Sequence, residues 1–171
     1  MKERDIVDAL KRQYFSKKNG VSPQWIVCEQ MRASGIRGFE TVDGVCCRTP
    51  EFREIDLWAL QSRPKLGMPA HSFEIKVSRP DWLHELRNPS KSEFALRISN
   101  YFWLAAPKGV VKKHELPMGD GLIEVSEDGY CEKVVKASRR EKQNPTWEIV
   151  LGVARRYHAS CAPSPSKEPK P

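Results

Sequence analysis

Apolar residues recur along this chain with two different periods, and the changes of period mark out its elements. Within residues 2–15, Ile6, Val7, Leu10 and Tyr14 fall at helical spacing with charged residues between them, which predicts an amphipathic opening helix. SKKNGVSP breaks that pattern, and WIVCEQMR (25–32) is dense in β-favouring residues and reads as a strand. The stretch 33–50 carries Gly35, Gly38, Gly44 and Pro50 and reads as a loop or loose hairpin. In REIDLWAL (53–60), Ile55, Leu57 and Ala59 alternate with Glu54, Asp56 and Trp58, so a strand with one more polar face is expected. The chain returns through Pro64, Gly67 and Pro69 to HSFEIKV (71–77), the second arm of a hairpin.

Further along, DWLHELRNPSKSEFALRIS predicts a helix interrupted near Asn88-Pro89, with Trp82, Leu83 and Leu86 as its core face. YFWLAAP (101–107) is apolar almost throughout, as in a strand covered on both faces. GLIEVSEDGYCEKVVKA predicts a closing hairpin through Asp128-Gly129. NPTWEIVLGVARRYH opens on an Asn-Pro helix start and predicts a terminal helix. CAPSPSKEPKP reads as a disordered tail. The expectation is a single domain over 1–158 with a tail at 159–171 and no internal repeat. Its element order is helix, strand, strand, strand, helix, strand, then a hairpin and a helix: an α/β fold around a central mixed sheet flanked by helices.

Composition narrows the function classes. A chain of 171 residues with 39% hydrophobic and 30% charged content has a globular balance. The net charge of +7 and the pI of about 9.2 point to polyanions, nucleic acid or anionic lipid, as partners. The middle third is the most basic, with 10 basic against 6 acidic residues in 61–120. No apolar run reaches the ~18 to 20 residues that span a bilayer, and MKERDIVDAL lacks a signal-peptide core. A soluble, unexported protein without membrane partners is expected. Five cysteines without a C-x-x-C pair fit free thiols in a reducing compartment. The adjacent Cys46-Cys47 with a distant histidine make a poor metal site. His71, His84, His114 and His158 show no ligand spacing, and there is no P-loop, G-x-G-x-x-G or zinc-finger pattern.

The candidate chemistry lies in the hairpin. On a strand over 71–77, Glu74 and Lys76 share one face while Phe73, Ile75 and Val77 share the other. Asp56 on the preceding arm, with Ile55 and Leu57 turned to the apolar face, is expected to meet them on one sheet surface. Two converging carboxylates repel and raise each other's pKa unless a cation sits between them. Mg²⁺ suits such a pair: it takes oxygen ligands and binds through one or two carboxylates plus substrate phosphates. An ion there lowers the pKa of its water and stabilises charge in a phosphodiester displacement, with the lysine adding positive charge beside the reacting centre. Paired charges at i and i+2 are also ordinary on solvated strand faces. What favours a site here is the setting, apolar strands in the most basic third of the chain.

REID (53–56) followed by FEIK (73–76) resembles the PD-(D/E)XK nuclease superfamily. FEIKVSRPDWLHELRNPSKSE, YFWLAAPKGVV and ELPMGDGLIEV narrow the resemblance to the MmcB-like, DNA-repair-associated group with its phage and prophage relatives; it covers roughly residues 1–138. The resemblance implies a restriction-endonuclease-like fold with an α-β-β-β-α-β core. It also implies metal-dependent hydrolysis of DNA with Mg²⁺ or Mn²⁺, in repair, recombination or phage DNA metabolism. Asp56 and Glu74 would be metal ligands, joined by the backbone carbonyl of Ile75, and Lys76 the catalytic lysine. Glu29 matches an upstream glutamate of the family, against the alternative of an ordinary ion pair with Arg53 or Arg32; Glu3, Asp5 and Asp8 compete for the same role. Arg79, Lys91 and Arg97 match basic positions able to reach DNA phosphates. Trp58 and Ser99-Asn100 depart from the family pattern and bear on substrate geometry. A cytoplasmic location in a bacterial or phage-infected cell and a homodimer cutting two strands are further expectations. The rival is a DNA-binding or defence-inhibiting module on the same fold, with little catalysis.

Overall fold

The computed structural model describes residues 1–17, 20–42, 45–87, 92–142, 144–145 and 147–161, with side chains described except at 20–21, 32–53, 148 and 158–161. Helix α1 (Glu3–Leu10) continues as a π-helical segment over Lys11–Phe15, so the opening helix has the extent its apolar pattern suggests but changes winding after Leu10. Two short strands, β1 (Ser16–Lys17) and β2 (Gly20–Val21), pair with each other. A six-stranded mixed sheet follows, made of β3 (Trp25–Val42), β4 (Val45–Gln61), β5 (Ala70–Ile75), β6 (Tyr101–Pro107), β7 (Gly121–Val125) and β8 (Cys131–Val135) in sequential spatial order. Pairing is antiparallel from β3 to β5, parallel from β5 to β7, and antiparallel again between β7 and β8. Helices α2 (Arg79–Leu86) and α3 (Glu93–Ile98) form the β5–β6 crossover, and α4 (Trp147–Cys161) closes the described chain.

The sheet divides the core into two layers. Ile6, Val7 and Leu10 of α1 pack with Leu57, Phe73, Ile75 and Trp103 on one face. Trp82 of α2, Phe94 and Ile98 of α3 and Ile149 of α4 pack with Phe102, Leu104 and Ala106 on the other. Alternation along β6 feeds both layers, which is why YFWLAAP is apolar almost throughout. The expected turn at Asp128-Gly129 is present: Gly129 adopts φ 79°, its N–H donates to Ser126 O, and Asp128 accepts from Ser126 Oγ.

One expectation is sharpened and two need correction. Of the loop or loose hairpin expected over 33–50, the hairpin is what forms, as the outer part of a two-stranded ribbon paired from Trp25↔Gln61 to Val42↔Val45 with a bulge near Ile36/Gly38. Beyond the four pairs Leu57↔Phe73 to Leu60↔Ala70, β4 has no ladder to β5; a ribbon with an open edge tolerates Pro50, which a central strand would not. Second, Ile55 and Leu57 lie in opposite core layers. The ladder lapses between Glu29↔Leu57 and Met31↔Ile55, where Gln30 takes φ 46°. Both strands change facing there, and Asp56 sits at the break. Third, α4 extends through 159–161, which the sequence assigned to the tail; 162–171 lie outside the described residues.

Ser99 and Asn100 have structural duties. Asn100 Oδ1 accepts from Ala70 N at 3.0 Å, Asn100 N donates to Ala70 O, and Ser99 Oγ meets Ser72 Oγ. They lock the start of β6 to the start of β5. Among the described residues no helix is long and apolar enough to cross a membrane.

Candidate active site

The β4–β5 ladder ends at Leu57↔Phe73, one pair short of Asp56 and Glu74. There the aspartate side chain replaces the missing rung: the N–H of Ile75 donates to Asp56 Oδ2 at 2.7 Å. Glu74 turns from the same strand end, and its Oε1 lies 2.7 Å from Lys76 Nζ. Lys76 is buried, and on its other side its ammonium meets Glu85 Oε2 of α2 at 3.3 Å. Glu85, itself buried, takes a further hydrogen bond from Ser92 Oγ at 3.2 Å. The strand therefore brings Asp56, Glu74 and Lys76 together, and α2 adds a carboxylate that the hairpin pattern does not reveal.

The electrostatics follow from burial and crowding. Burial pushes the carboxyl of Asp56 up to about 7, with Glu74 pushing the same way and the Ile75 N–H opposing. Burial likewise raises Glu74, against the pull of Lys76. Burial works against the Lys76 ammonium, but Glu74, Glu85 and Asp81 outweigh it and hold the group protonated well above the ordinary lysine range. Lys76 is thus a fixed positive charge and donor, not a base. Among the described residues no cluster of three or more His, Cys, Asp or Glu side chains is gathered for a metal; the carboxylates on offer at the strand end are the pair Asp56 and Glu74. The backbone carbonyl of Ile75, on the residue that anchors Asp56, completes the expected oxygen set.

The other expected residues sit elsewhere. Glu29 has both oxygens in ion pairs, one with Arg4 and one with Lys11 of the opening helix segment, and these cations hold it below the ordinary glutamate range although burial opposes them. This corrects its assignment to the metal site; the side chains of Arg32 and Arg53, the alternative partners, lie outside the described residues. Glu3 is the α1 acid whose charge Asp56 does feel. Arg79 is committed to Glu115 through both terminal nitrogens and donates to Val110 O at 3.0 Å, while Trp82 Nε1 donates to Glu115 Oε2 at 3.0 Å. It pins α2 to the segment after β6, which corrects its reading as a phosphate contact. Arg97 is exposed on α3, and Lys91 lies outside the described residues, as do the side chains of Cys46 and Cys47. Sequence reasoning passed over Lys108, Lys112 and Lys113, which are exposed in the segment after β6. β5 and β6 run parallel, so this segment leaves the sheet at the end that carries Lys76. The signal was available in KGVVKKH once the parallel pairing is known.

No family model and no curated protein matches the chain. Among solved structures, SPO1766, a protein of unknown function from Silicibacter pomeroyi, is similar at a TM-score of 0.48 with 20% identity, covering 80% of each chain.

Proposed function

We propose that this chain is a PD-(D/E)XK-type nuclease on a restriction-endonuclease-like fold, hydrolysing DNA phosphodiesters with Mg²⁺ or Mn²⁺. The observation that carries the reading is the single cluster in which Asp56 is tied to Ile75 at 2.7 Å and Glu74 to Lys76 at 2.7 Å. The element order supports it as well: α1, an antiparallel β3–β4–β5 meander, the helical crossover and a parallel β6 follow the order that the resemblance implies.

The donor set fits a hard divalent ion. Two carboxylates whose protonation is favoured by burial, helped at Asp56 by Glu74 and at Glu74 by Glu85 and Asp81, gain from a cation between them, and with one backbone carbonyl they suffice for Mg²⁺ that keeps waters and meets substrate phosphate. Bound there, the ion would supply charge neutralisation and a water of lowered pKa. Asp56 and Glu74 hold it, and the Ile75 N–H fixes which Asp56 oxygen is left to face it. Lys76, held by Glu74 and Glu85, keeps a protonated donor beside the site for the developing negative charge. Exposed Arg97, Lys108, Lys112 and Lys113 provide phosphate contacts in place of Arg79.

The test is cleavage of single-stranded, duplex, flapped and branched DNA, with matched RNA, in Mg²⁺ and in Mn²⁺. Cleavage that falls by at least ~10²-fold in Asp56→Asn and Lys76→Gln supports the reading; intact substrates in every condition overturn it. Because Asp56 must lose a proton to ligate, Mn²⁺ affinity rises as pH is raised through about 7, measurable by calorimetry without substrate. A second reading, a DNA-binding or defence-inhibiting module with little turnover, is favoured by one observation: Lys76 is buried between two carboxylates, which an internal ion pair explains without catalysis. DNA binding that survives in the same variants, without cleavage in the wild type, selects it.

A further inference from the structure

The face of the sheet that carries α1 holds a cavity of about 590 Å³, within the size range of small-molecule sites. Its floor is aromatic. His71 and Tyr101, paired across β5 and β6, stack at 4.7 Å and 21°, and Phe73 and Trp103, the next pair on that face, lie at 6.5 Å and 14°. Trp25 and Tyr14 add walls, with Trp25 edge-on to His71 at 5.4 Å. Its rim is cationic. Lys133, Lys136 and Arg139 are exposed and line the cavity, and no aspartate or glutamate among the described residues lines it. Lys133 Nζ stands 4.6 Å from the Tyr14 ring centroid and 5.5 Å from that of Trp103, so one cation is already held over the aromatic wall.

We propose that this cavity binds a nucleotide, its base against the aromatic floor and its phosphate on Lys133, Lys136 and Arg139. Flat rings accept any base by stacking, and three cations without a carboxylate select a group of more than one negative charge. His71 Nδ1 accepts from Trp103 Nε1 at 3.2 Å, which leaves Nε2 as the protonated nitrogen, and burial with Lys133 and Lys142 nearby keeps the ring neutral, its pKa pushed down to about 4. A neutral imidazole adds a donor without disturbing the stack. The ligand is a free nucleotide or the 5′-phosphorylated end of a strand, which share this chemistry. The inference stands apart from the nuclease reading: the cavity uses the side of β5 that bears Phe73, and none of Asp56, Glu74 or Lys76 lines it.

The experiment is a titration in EDTA, on wild type and on Asp56→Asn, followed by tryptophan fluorescence and calorimetry. The probes are dAMP, inorganic phosphate, and short single-stranded oligonucleotides with a 5′-phosphate or a 5′-hydroxyl. Expected is binding of dAMP or the 5′-phosphorylated oligonucleotide with Kd below ~1 mM, the tighter of the two naming the source. Lys136→Glu combined with Arg139→Glu, both at exposed positions, lowers that affinity at least tenfold with the thermal midpoint unchanged. Tyr101→Leu weakens dAMP but not phosphate. The proposal falls if neither nucleotide probe binds, if inorganic phosphate or the 5′-hydroxyl strand binds as tightly, or if the charge-reversed variant binds like wild type. Asp56→Asn binds as wild type does, so failure of the nuclease reading leaves this result standing.

Discussion

Lys76 is the residue on which the candidate site turns, and its surroundings dictate what its loss does. Its ammonium lies between Glu74 and Glu85, and both Lys76 and Glu85 are buried. Removing one partner of a buried ion cluster strands the others' charge, which costs far more than the pair itself contributes. Lys76→Ala is therefore expected to destabilise the fold by about 3 kcal/mol at neutral pH, with part of the loss recovered in acid as the stranded carboxylates protonate; denaturant melts at two pH values check this. Activity of that variant must be read together with its stability, and Lys76→Gln is the gentler probe. Strand alternation made the shared face of Glu74 and Lys76 legible, but Asp56 reaches them where the alternation breaks, since Ile55 and Leu57 lie in opposite core layers. Glu85 was not legible, since its approach depends on how α2 lies on the sheet, which no local period encodes. Glu29 failed for a related reason: the cations that claim it, Arg4 and Lys11, come from a helical segment whose rotation about its own axis the sequence leaves open.

At the level of elements, the kink in β3 carries the most information. Gln30 is exposed and adopts φ 46°, a left-handed conformation that costs a non-glycine residue on the order of 1 kcal/mol. Arg156 of α4 donates to its carbonyl at 2.8 Å and helps hold the bend. Gln30→Gly is expected to stabilise by about 0.5 kcal/mol and Gln30→Val to destabilise by about 1 to 3 kcal/mol, compared by thermal melts. The sequence does not announce this bend, for a glycine there would have been the usual signal and glutamine is not. Over 33–50 it left two readings open, since Gly35, Gly38 and Pro50 fit a loop as well as the hairpin that forms. Those residues are compatible with strand because the ribbon's outer part pairs only within itself, so the rules for a central strand do not apply. Arg79, read as a free cation, is bound by Glu115, which it holds near 2. That contact contributes above the ordinary glutamate range and fades as pH falls towards 2, so hydrogen exchange in 110–116 is expected to quicken in Glu115→Gln at neutral pH.

For the whole molecule, half-buried titrating groups on β4 and β5 pull the pH profile in opposite directions, Asp56 and Glu74 one way and His71 the other. Asp56 has a raised pKa, about 7. The native state keeps the proton that the unfolded chain has lost, so its share of stability declines as pH rises from the ordinary aspartate value towards 7. His71 is lowered to about 4; the unfolded chain takes up the proton first, so stability declines as pH falls from about 6.5 towards 4. In the wild type the His71 trend accordingly offsets part of the decline that the raised carboxyls impose between pH 4 and 7. Relative to it, Asp56→Asn should gain stability with rising pH across this window, and His71→Gln should lose it, each by about 1 to 3 kcal/mol; unfolding curves at four pH values separate the cases. The mixed α/β order itself was readable from changes in period, because each element exposes its own repeat. The partition into two core layers was foreshadowed only at β6, where an unbroken apolar run required cover on both sides.

The lapse at Gln30 and Asp56 bears on design. If both residues were excised together, Glu29 with Leu57 and Met31 with Ile55 would become consecutive rungs whose side chains already point to alternating layers. A shorter, strain-free ladder is thus available to this sequence, and a protein that needed only the sheet would be better built without the two. What it would forfeit is one carboxyl group at the strand's end, together with whatever that group is kept there to do.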